Sequence, residues 1–312
     1  MKSKKFKLTT PILFLVFNRP EATKTVFEEI KKAKPTTLFI SSDGPRTNYP
    51  EEKEVVLKIR KDLLASINWP CTVKTLFREK NLGCKYAASG AIDWFFDNVE
   101  QGIVLEDDCL PSQGFFKFCQ KILNKYKDDQ RIMHVSGTNV EGVSSTNETY
   151  FFTKVYNAWG WATWRRAWKL YDIDVKQWPK FKKEGWMRDF SRSYLDSVEN
   201  IRGMDNIYNN KLDTWDYQWV FSCMLNNGLS IIPKVNMIKN IGFDEKGTHM
   251  DRFDKNKLLE LRTLPLPFKE NNFMIESRHY HHSAARFFHK GRIAKKILKI
   301  LIKIKKTVLR RE

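Results

Sequence analysis

Cysteine is scarce and unpatterned: Cys71, Cys84, Cys109, Cys119 and Cys223 are the five in 312 residues, with no CxxC pair and no zinc-type spacing. An odd number without a framework excludes a disulfide scaffold and fits reduced thiols in a cytosolic setting. A bilayer-spanning apolar run is missing as well. The stretch Pro11 to Phe17 follows lysines, but it is short, has no small-residue cleavage site and stops at Asn18-Arg19-Pro20, so it reads as a first buried strand rather than a signal peptide. Internal repeats are absent, and so is low-complexity sequence outside the C-terminal tail.

Acidic residues are in deficit, 36 against 55 lysines and arginines, for a formal net charge of +19. Four lysines within residues 1–7, and nine basic residues against one acid within 291–312, hold +12 of that charge. The body carries only the remainder, so no nucleic-acid groove is required and none is expected. In the tail, Ile293, Ile297, Ile300, Leu301, Ile304 and Val308 recur at helical spacing among the basic residues. A basic amphipathic helix of this kind can lie on an anionic membrane surface. A helix docked on the body, or paired with a second chain, is the alternative.

What is present in the body is alternation. Strand-length apolar runs at Ile12 to Phe17, Thr37 to Ser42, Thr72 to Phe77 and Gly102 to Leu105 are separated by helix-period segments at Ala22 to Lys34, Glu51 to Ser66 and Lys85 to Asn98. Phe115 to Tyr126 and Arg131 to Ser136 continue the series. The pattern predicts an α/β fold with a mainly parallel sheet and helices on both faces. Beyond about Val140 the sequence becomes irregular and tryptophan-rich, with Asn157 to Trp164, a basic helix through Tyr171, and a helix opened by Trp215-Asp216-Tyr217. The expected organisation is one domain over 1–255, with a nucleotide-binding half at about 8–140 and an acceptor half at about 141–255. An acceptor- or membrane-facing extension at 256–290 and the tail helix at 291–312 follow.

Ligands of such sheets bind beyond the carboxyl ends of the strands, and polar clusters fall at those ends: Asn18-Arg19, Ser42-Asp43-Gly44, Arg78 and Glu106-Asp107-Asp108. Three adjacent carboxylates repel one another and call for a cation. A hard divalent ion, Mn²⁺ or Mg²⁺, suits them, since such ions are held by one or two carboxylates and keep positions for water and phosphate oxygens. A solvated turn capping the next helix is the plain alternative.

The order and spacing of Asn18-Arg19, Ser42-Asp43-Gly44, Glu106-Asp107-Asp108, Trp159-Gly160-Trp161 and Trp215-Asp216 resemble metal-dependent, nucleotide-sugar glycosyltransferases of the GT-A fold. More closely, the chain resembles bacterial relatives of the Golgi N-acetylglucosaminyltransferase that begins complex N-glycans, over about Pro11 to Met250. The resemblance implies that Arg19 contacts the diphosphate or base of a UDP-sugar and that Asp43 reads the uracil edge. It also implies that Asp108 binds Mn²⁺ (or Mg²⁺) while Glu106 and Asp107 contact ribose and donor sugar. Asp216 matches the catalytic base, with one departure: relatives often carry two adjacent acids where this chain has Asp216-Tyr217, which leaves the register of the base open by a residue or two.

Sugar transfer itself asks for the same parts: charge stabilisation at a departing diphosphate and a carboxylate to take the acceptor hydroxyl's proton. A base on the far face of the sugar means direct displacement, hence inversion. Arg78 and Lys85 stand where they could steer the diphosphate, with ordinary surface charge as the alternative. Trp161, in the Trp159-Gly160-Trp161 loop, could, like Trp159 and Trp215, pack against a sugar ring, although dense tryptophans are more often core. His249, in the polar loop after Gly242, could reach the metal or phosphate, or be a surface histidine. His279, His281, His282 and His289 lack acidic or cysteine partners at ligand spacing and fit an acceptor- or lipid-facing surface better than a metal site.

The expected activity is an inverting transferase acting on a cell-envelope or lipid-linked glycan acceptor, peripheral at the inner face of the cytoplasmic membrane. Two rivals remain. One is an inactive carbohydrate-binding or scaffold protein at the membrane surface. The other is a sugar-phosphate nucleotidyltransferase, which would normally carry a glycine-rich basic loop where this chain has Asn18-Arg19-Pro20-Glu21.

Overall fold

A computed structural model of the chain describes residues 6–191, 193–242, 259–264 and 267–288. Its centre is an eight-stranded sheet in the order β3-β2-β1-β4-β8-β6-β9-β7. The strands are β1 (Ile12–Val16), β2 (Thr37–Ser42), β3 (Thr72–Phe77), β4 (Gln101–Glu106), β6 (Ile132–Ser136), β7 (Tyr150–Thr153), β8 (Trp161–Trp164) and β9 (Leu229–Pro233). A two-stranded ribbon joins β5 (Cys109–Pro111) to β10 (Ile238–Asn240). Of the eight strands, β8 and β7 run against the others, so the sheet is mainly parallel as the alternation predicts.

Period-two patterning puts two apolar layers on the sheet. Ile12, Phe14, Leu38, Ile40, Ile103 and Leu105 face α1 (Pro20–Ala33), α2 (Glu52–Ala65) and α4 (Gln113–Lys125). Leu13, Phe39 and Val104 face the opposite way, toward α3 (Gly83–Asn98), α5 (Arg165–Trp168) and α8 (Asp216–Leu225). α1 starts at Pro20, whose missing N–H costs nothing in a first turn, and α4 presents Phe115, Phe116, Cys119, Ile122 and Leu123 along one buried stripe. A satellite core holds α6 (Trp178–Lys183), a 3₁₀ turn at Trp186–Arg188 and α7 (Tyr194–Tyr208) against Phe221 of α8.

Three expectations for the second half are corrected. It is not irregular, because β7, β8 and β9 extend the same sheet as β1 to β4. Trp161 does not lie in a loop. Gly160, at φ +58, turns the chain so that Trp161 opens β8, which inserts antiparallel between β4 and β6. The basic helix expected to run through Tyr171 stops at Trp168. Residue 276 bridges to Phe152 of β7, and the helix that follows over 278–288 buries Tyr280 on this edge. No helix among the described residues is long and apolar enough to cross a membrane. The tail at 291–312 and His289 lie outside the described residues.

Candidate active site

Strands β1, β2 and β4 are in parallel register, with Leu15 opposite Glu106 and Val16 opposite Ser42, so the residues that follow them emerge along one sheet edge. There the three acids of the first sequence motif stand beside Arg19. The Arg19 guanidinium donates to Asp108 Oδ2 at 2.6 Å and lies 3.7 Å from Asp107 Oδ1. Asp107 Oδ2 also accepts from the backbone N–H of Phe17 at 3.1 Å, and Glu106 Oε1 accepts from the Trp215 indole at 3.2 Å. The Asp107 and Asp108 side chains are only 10% and 14% exposed, whereas Arg19 is 41% exposed. Two confined acids thus share one cation that water already holds in part.

The electrostatics follow from that confinement. Burial first, then the charges of Asp108, Asp216 and Asp107, pushes the Glu106 carboxyl far above the ordinary carboxylate range. Burial and then Asp108 do the same to Asp107, against the pull of Arg19 and the Phe17 amide. A cluster that resists ionising in the protein alone is a cluster suited to a further positive charge.

Asp216 reaches this edge from the other half. It is the first residue of α8, half-buried, and its Oδ1 accepts from Thr214 Oγ1. The neighbouring Trp215 couples it physically to Glu106, because the Trp215 indole donates there while its carbonyl accepts from the Tyr171 hydroxyl at 3.1 Å. The other acid of this loop, Asp213, is already engaged, with Oδ1 accepting from the Lys85 amide at 2.7 Å and Oδ2 from the Cys84 amide at 2.8 Å. Of the two acids flanking Thr214-Trp215, Asp216 is the one whose charge bears on Glu106.

Four candidates occupy different surroundings from those expected. Asp43 is at the expected strand end, but its carboxylate accepts from the backbone amides of Gly44, Leu82 and Gly83 at 2.9 to 3.2 Å, so it shapes the turn into α3. Burial is the main influence on it and raises its pKa, with those amides opposing. Arg78 lies against Gly90 of α3 and donates weakly to Ser41 Oγ at 3.4 Å. Lys85 is buried, and its Nζ donates to Asn210 Oδ1 at 2.9 Å. With Asp43 and Asp213 on the first amides of α3, that helix start is closed to a diphosphate. Trp161 is corrected outright: it is 0% exposed, stacked between His134 (5.2 Å) and Trp215 (5.6 Å), and meets no cleft. His249 lies outside the described residues. The last described residues before it lie against Asp108, where Ile241 N donates to the Asp108 carbonyl and a Cβ on Gly242 would sit 2.3 Å from Asp108 Oδ2.

Sequence reasoning missed three supporting residues. Glu52 accepts from Asn18 Nδ2 at 2.6 Å and from Arg46, tying the end of β1 to the loop after β2. Arg60 of α2 donates to the Asp43 and Arg78 carbonyls at 2.9 and 2.7 Å, stapling the ends of β2 and β3 together. Asp213 is the third. Only its place, three residues before an acid at a helix start, marked it as a capping type.

The donor set fits a divalent ion in a particular way. Among the described residues no group of three or more His, Cys, Asp or Glu forms a metal cage. Adjacent oxygen donors with a single partly solvated guanidinium suit Mg²⁺ or Mn²⁺ held by one or two carboxylates and completed by phosphate oxygens and water.

No family model and no curated protein matches the chain. Among solved structures, it is similar to S. aureus TarS 1-349 (8% identity over 90% of this chain and 71% of that one, TM-score 0.40). It is similar to a UDP-glucose pyrophosphorylase complexed with UDP-glucose (11%, 80% and 97%, TM-score 0.40). A third is mouse xyloside xylosyltransferase 1 (11%, 69% and 81%, TM-score 0.33). The function proposed next therefore rests on the site's own residues.

Proposed function

We propose that this chain is an inverting, divalent-metal-dependent glycosyltransferase that moves a sugar from a UDP-sugar to a hydroxyl of a cell-envelope or lipid-linked glycan. One observation supports it above the rest: Arg19, Glu106, Asp107 and Asp108 meet at the carboxyl edge of β1 and β4, and Asp216 is brought to the same edge from the far half of the chain. Charge stabilisation for a leaving group and a carboxylate base thus share one rim.

In this reading Asp108, with Asp107 behind it, holds Mn²⁺ or Mg²⁺, which when bound supplies positive charge to the leaving diphosphate. Arg19, exposed enough to turn outward, binds a phosphate oxygen. Glu106, oriented by the Trp215 indole, accepts hydrogen bonds from donor hydroxyls. Asp216 takes the acceptor hydroxyl's proton, with Thr214 fixing its carboxylate. A panel of UDP-sugars with Mn²⁺, followed by UDP release and by thermal stabilisation, tests the proposal. UDP formation with an inverted product supports it. Release of pyrophosphate from UTP and a sugar phosphate would replace it with nucleotidyl transfer, and sugar binding without turnover would replace it with a binding protein.

The membrane part of the proposal rests on the basic, apolar-periodic sequence at 291–312. Peripheral attachment at the cytoplasmic face is accordingly a proposal about the acceptor's location, independent of the chemistry.

A further inference from the structure

The loop before α8 is fastened to a helix about 130 positions earlier in the chain. Asp213 closes the Cys84 and Lys85 amides, Asp43 closes those of Leu82 and Gly83, and Asn210 takes the Lys85 ammonium. The first turn of α3 is therefore matched amide by amide to two carboxylates, one from each half of the chain. The turn is shaped for this contact. Gly83 sits at φ +78, and a Cβ there would fall 2.7 Å from Asp213 Oδ2, so only glycine permits the approach.

Three residues beyond the fastening stands Asp216. Between them, Thr214 donates to Asp216 and Trp215 donates to Glu106, so each residue of the segment has a fixed partner. The α3 start is itself held to the β2 end by Asp43, and the β2 and β3 ends by Arg60. A continuous set of hydrogen bonds thus runs from the donor-side strand ends to the loop that presents the carboxylate base.

We propose that Asp213 is a positioning residue for the transfer reaction: by clasping the first turn of α3 it sets the distance between the Asp216 carboxylate and the Glu106–Asp108 rim. This rests on the assignment of Asp216 as base. It also removes the start of α3 as a phosphate site, so the diphosphate is held at the rim, by Arg19 and the metal-binding acids. An ordinary helix cap would affect stability alone. A positioning residue affects the chemical step while leaving donor binding in place, since small displacements of a reacting group are costly to rate.

The test uses full-length protein, wild type, Asp213→Ala and Asp213→Asn, with steady-state kinetics on the best UDP-sugar of the panel and amide hydrogen exchange. Asp213→Ala is expected to lower kcat about 10²-fold, with donor KM changed by less than about twofold. Asp213→Asn, which keeps one carbonyl acceptor for the α3 amides, is expected to recover part of that loss. Exchange is expected to rise in Asp213→Ala both at 83–86 and at 214–220, because the two segments are fastened to each other. An unchanged kcat, a rise in KM alone, or exchange that rises at 83–86 but not at 214–220 would overturn the clasp. Should wild type turn over no UDP-sugar, the glycosyltransferase proposal fails, and the exchange pattern still decides whether Asp213 holds the Asp216 loop.

Discussion

The acidic rim and the tryptophan layer beneath it are neighbours built on opposite principles. At the rim, Glu106, Asp107 and Asp108 crowd together with Arg19 in contact, and burial drives two of the three acids away from their charged form. Directly below, Trp161, Trp168, Trp215 and Trp219 pack face to face and edge to face with His134 at centroid distances of 5.2 to 6.5 Å. The layer is stabilised by burial of large apolar rings; the rim is tolerated because that layer and the sheet hold it. The comparison teaches that the residues contributing most to stability here are not those proposed to bear the chemistry, even where they are adjacent in sequence, as Trp215 and Asp216 are.

The comparison breaks most sharply at that pair. Asp216→Asn is expected to lower kcat by on the order of 10²–10⁴-fold with UDP-sugar affinity and melting temperature kept, as read by kinetics, calorimetry and thermal melting. Wild-type rates would remove Asp216 as base. In the layer the expectation is reversed. Trp161→Ala is expected to cost about 3–5 kcal/mol of stability in a denaturant titration, with donor KM of the folded fraction unchanged. Trp161→Phe is expected to cost less, because it deletes an indole N–H that finds no hydrogen-bond partner. A rise in KM without loss of stability would return Trp161 to the cleft.

A smaller effect sharpens the contrast through pH. His134 is buried and neutral. Its Nδ1 accepts from the Trp219 indole at 3.1 Å, its Nε2 lies 3.1 Å from the Asn157 carbonyl, and burial lowers its pKa to about 3. The unfolded chain binds a proton at this residue below about pH 6.5 while the folded protein does not. Its contribution to stability is therefore complete above that pH and is lost as pH falls toward 3, at up to about 1.4 kcal/mol per pH unit. The raised carboxyls of Glu106 and Asp107 act in the opposite sense over this range, so the slope is read from the difference in stability between wild type and His134→Gln in urea titrations from pH 7 to pH 5, which is expected to shrink as pH falls; a pH-independent difference would contradict it.

Legibility in the sequence follows the same division. β1 to β4 and their polar ends were readable because each is an apolar run closed by turn-type residues within a few positions, and the three acids announced themselves by adjacency. β7, β8 and β10 were not, since each is three or four residues long and takes its identity from partners far along the chain. Trp161 was misassigned because Trp-Gly-Trp reads as a loop, whereas Gly160 only turns the chain into β8. Asp43 was expected at the end of β2 and Lys85 at the start of the helix after β3, where both lie, but their protein partners were not foreseen. The partners of Lys85, Asp213 and Asn210, lie more than a hundred positions away, and Asp43 closes the amides of Leu82 and Gly83 across the whole of β3, so no local pattern reveals them.

The central claim is that Asp108 grips a divalent ion that is needed to bind a uridine diphosphate at the rim. The most direct measurement is titration of UDP into wild type and Asp108→Asn, each with and without Mn²⁺, by calorimetry. The account predicts Mn²⁺-dependent binding in wild type that is lost in Asp108→Asn, with both proteins equally folded. Equal UDP affinity in all four titrations would contradict it.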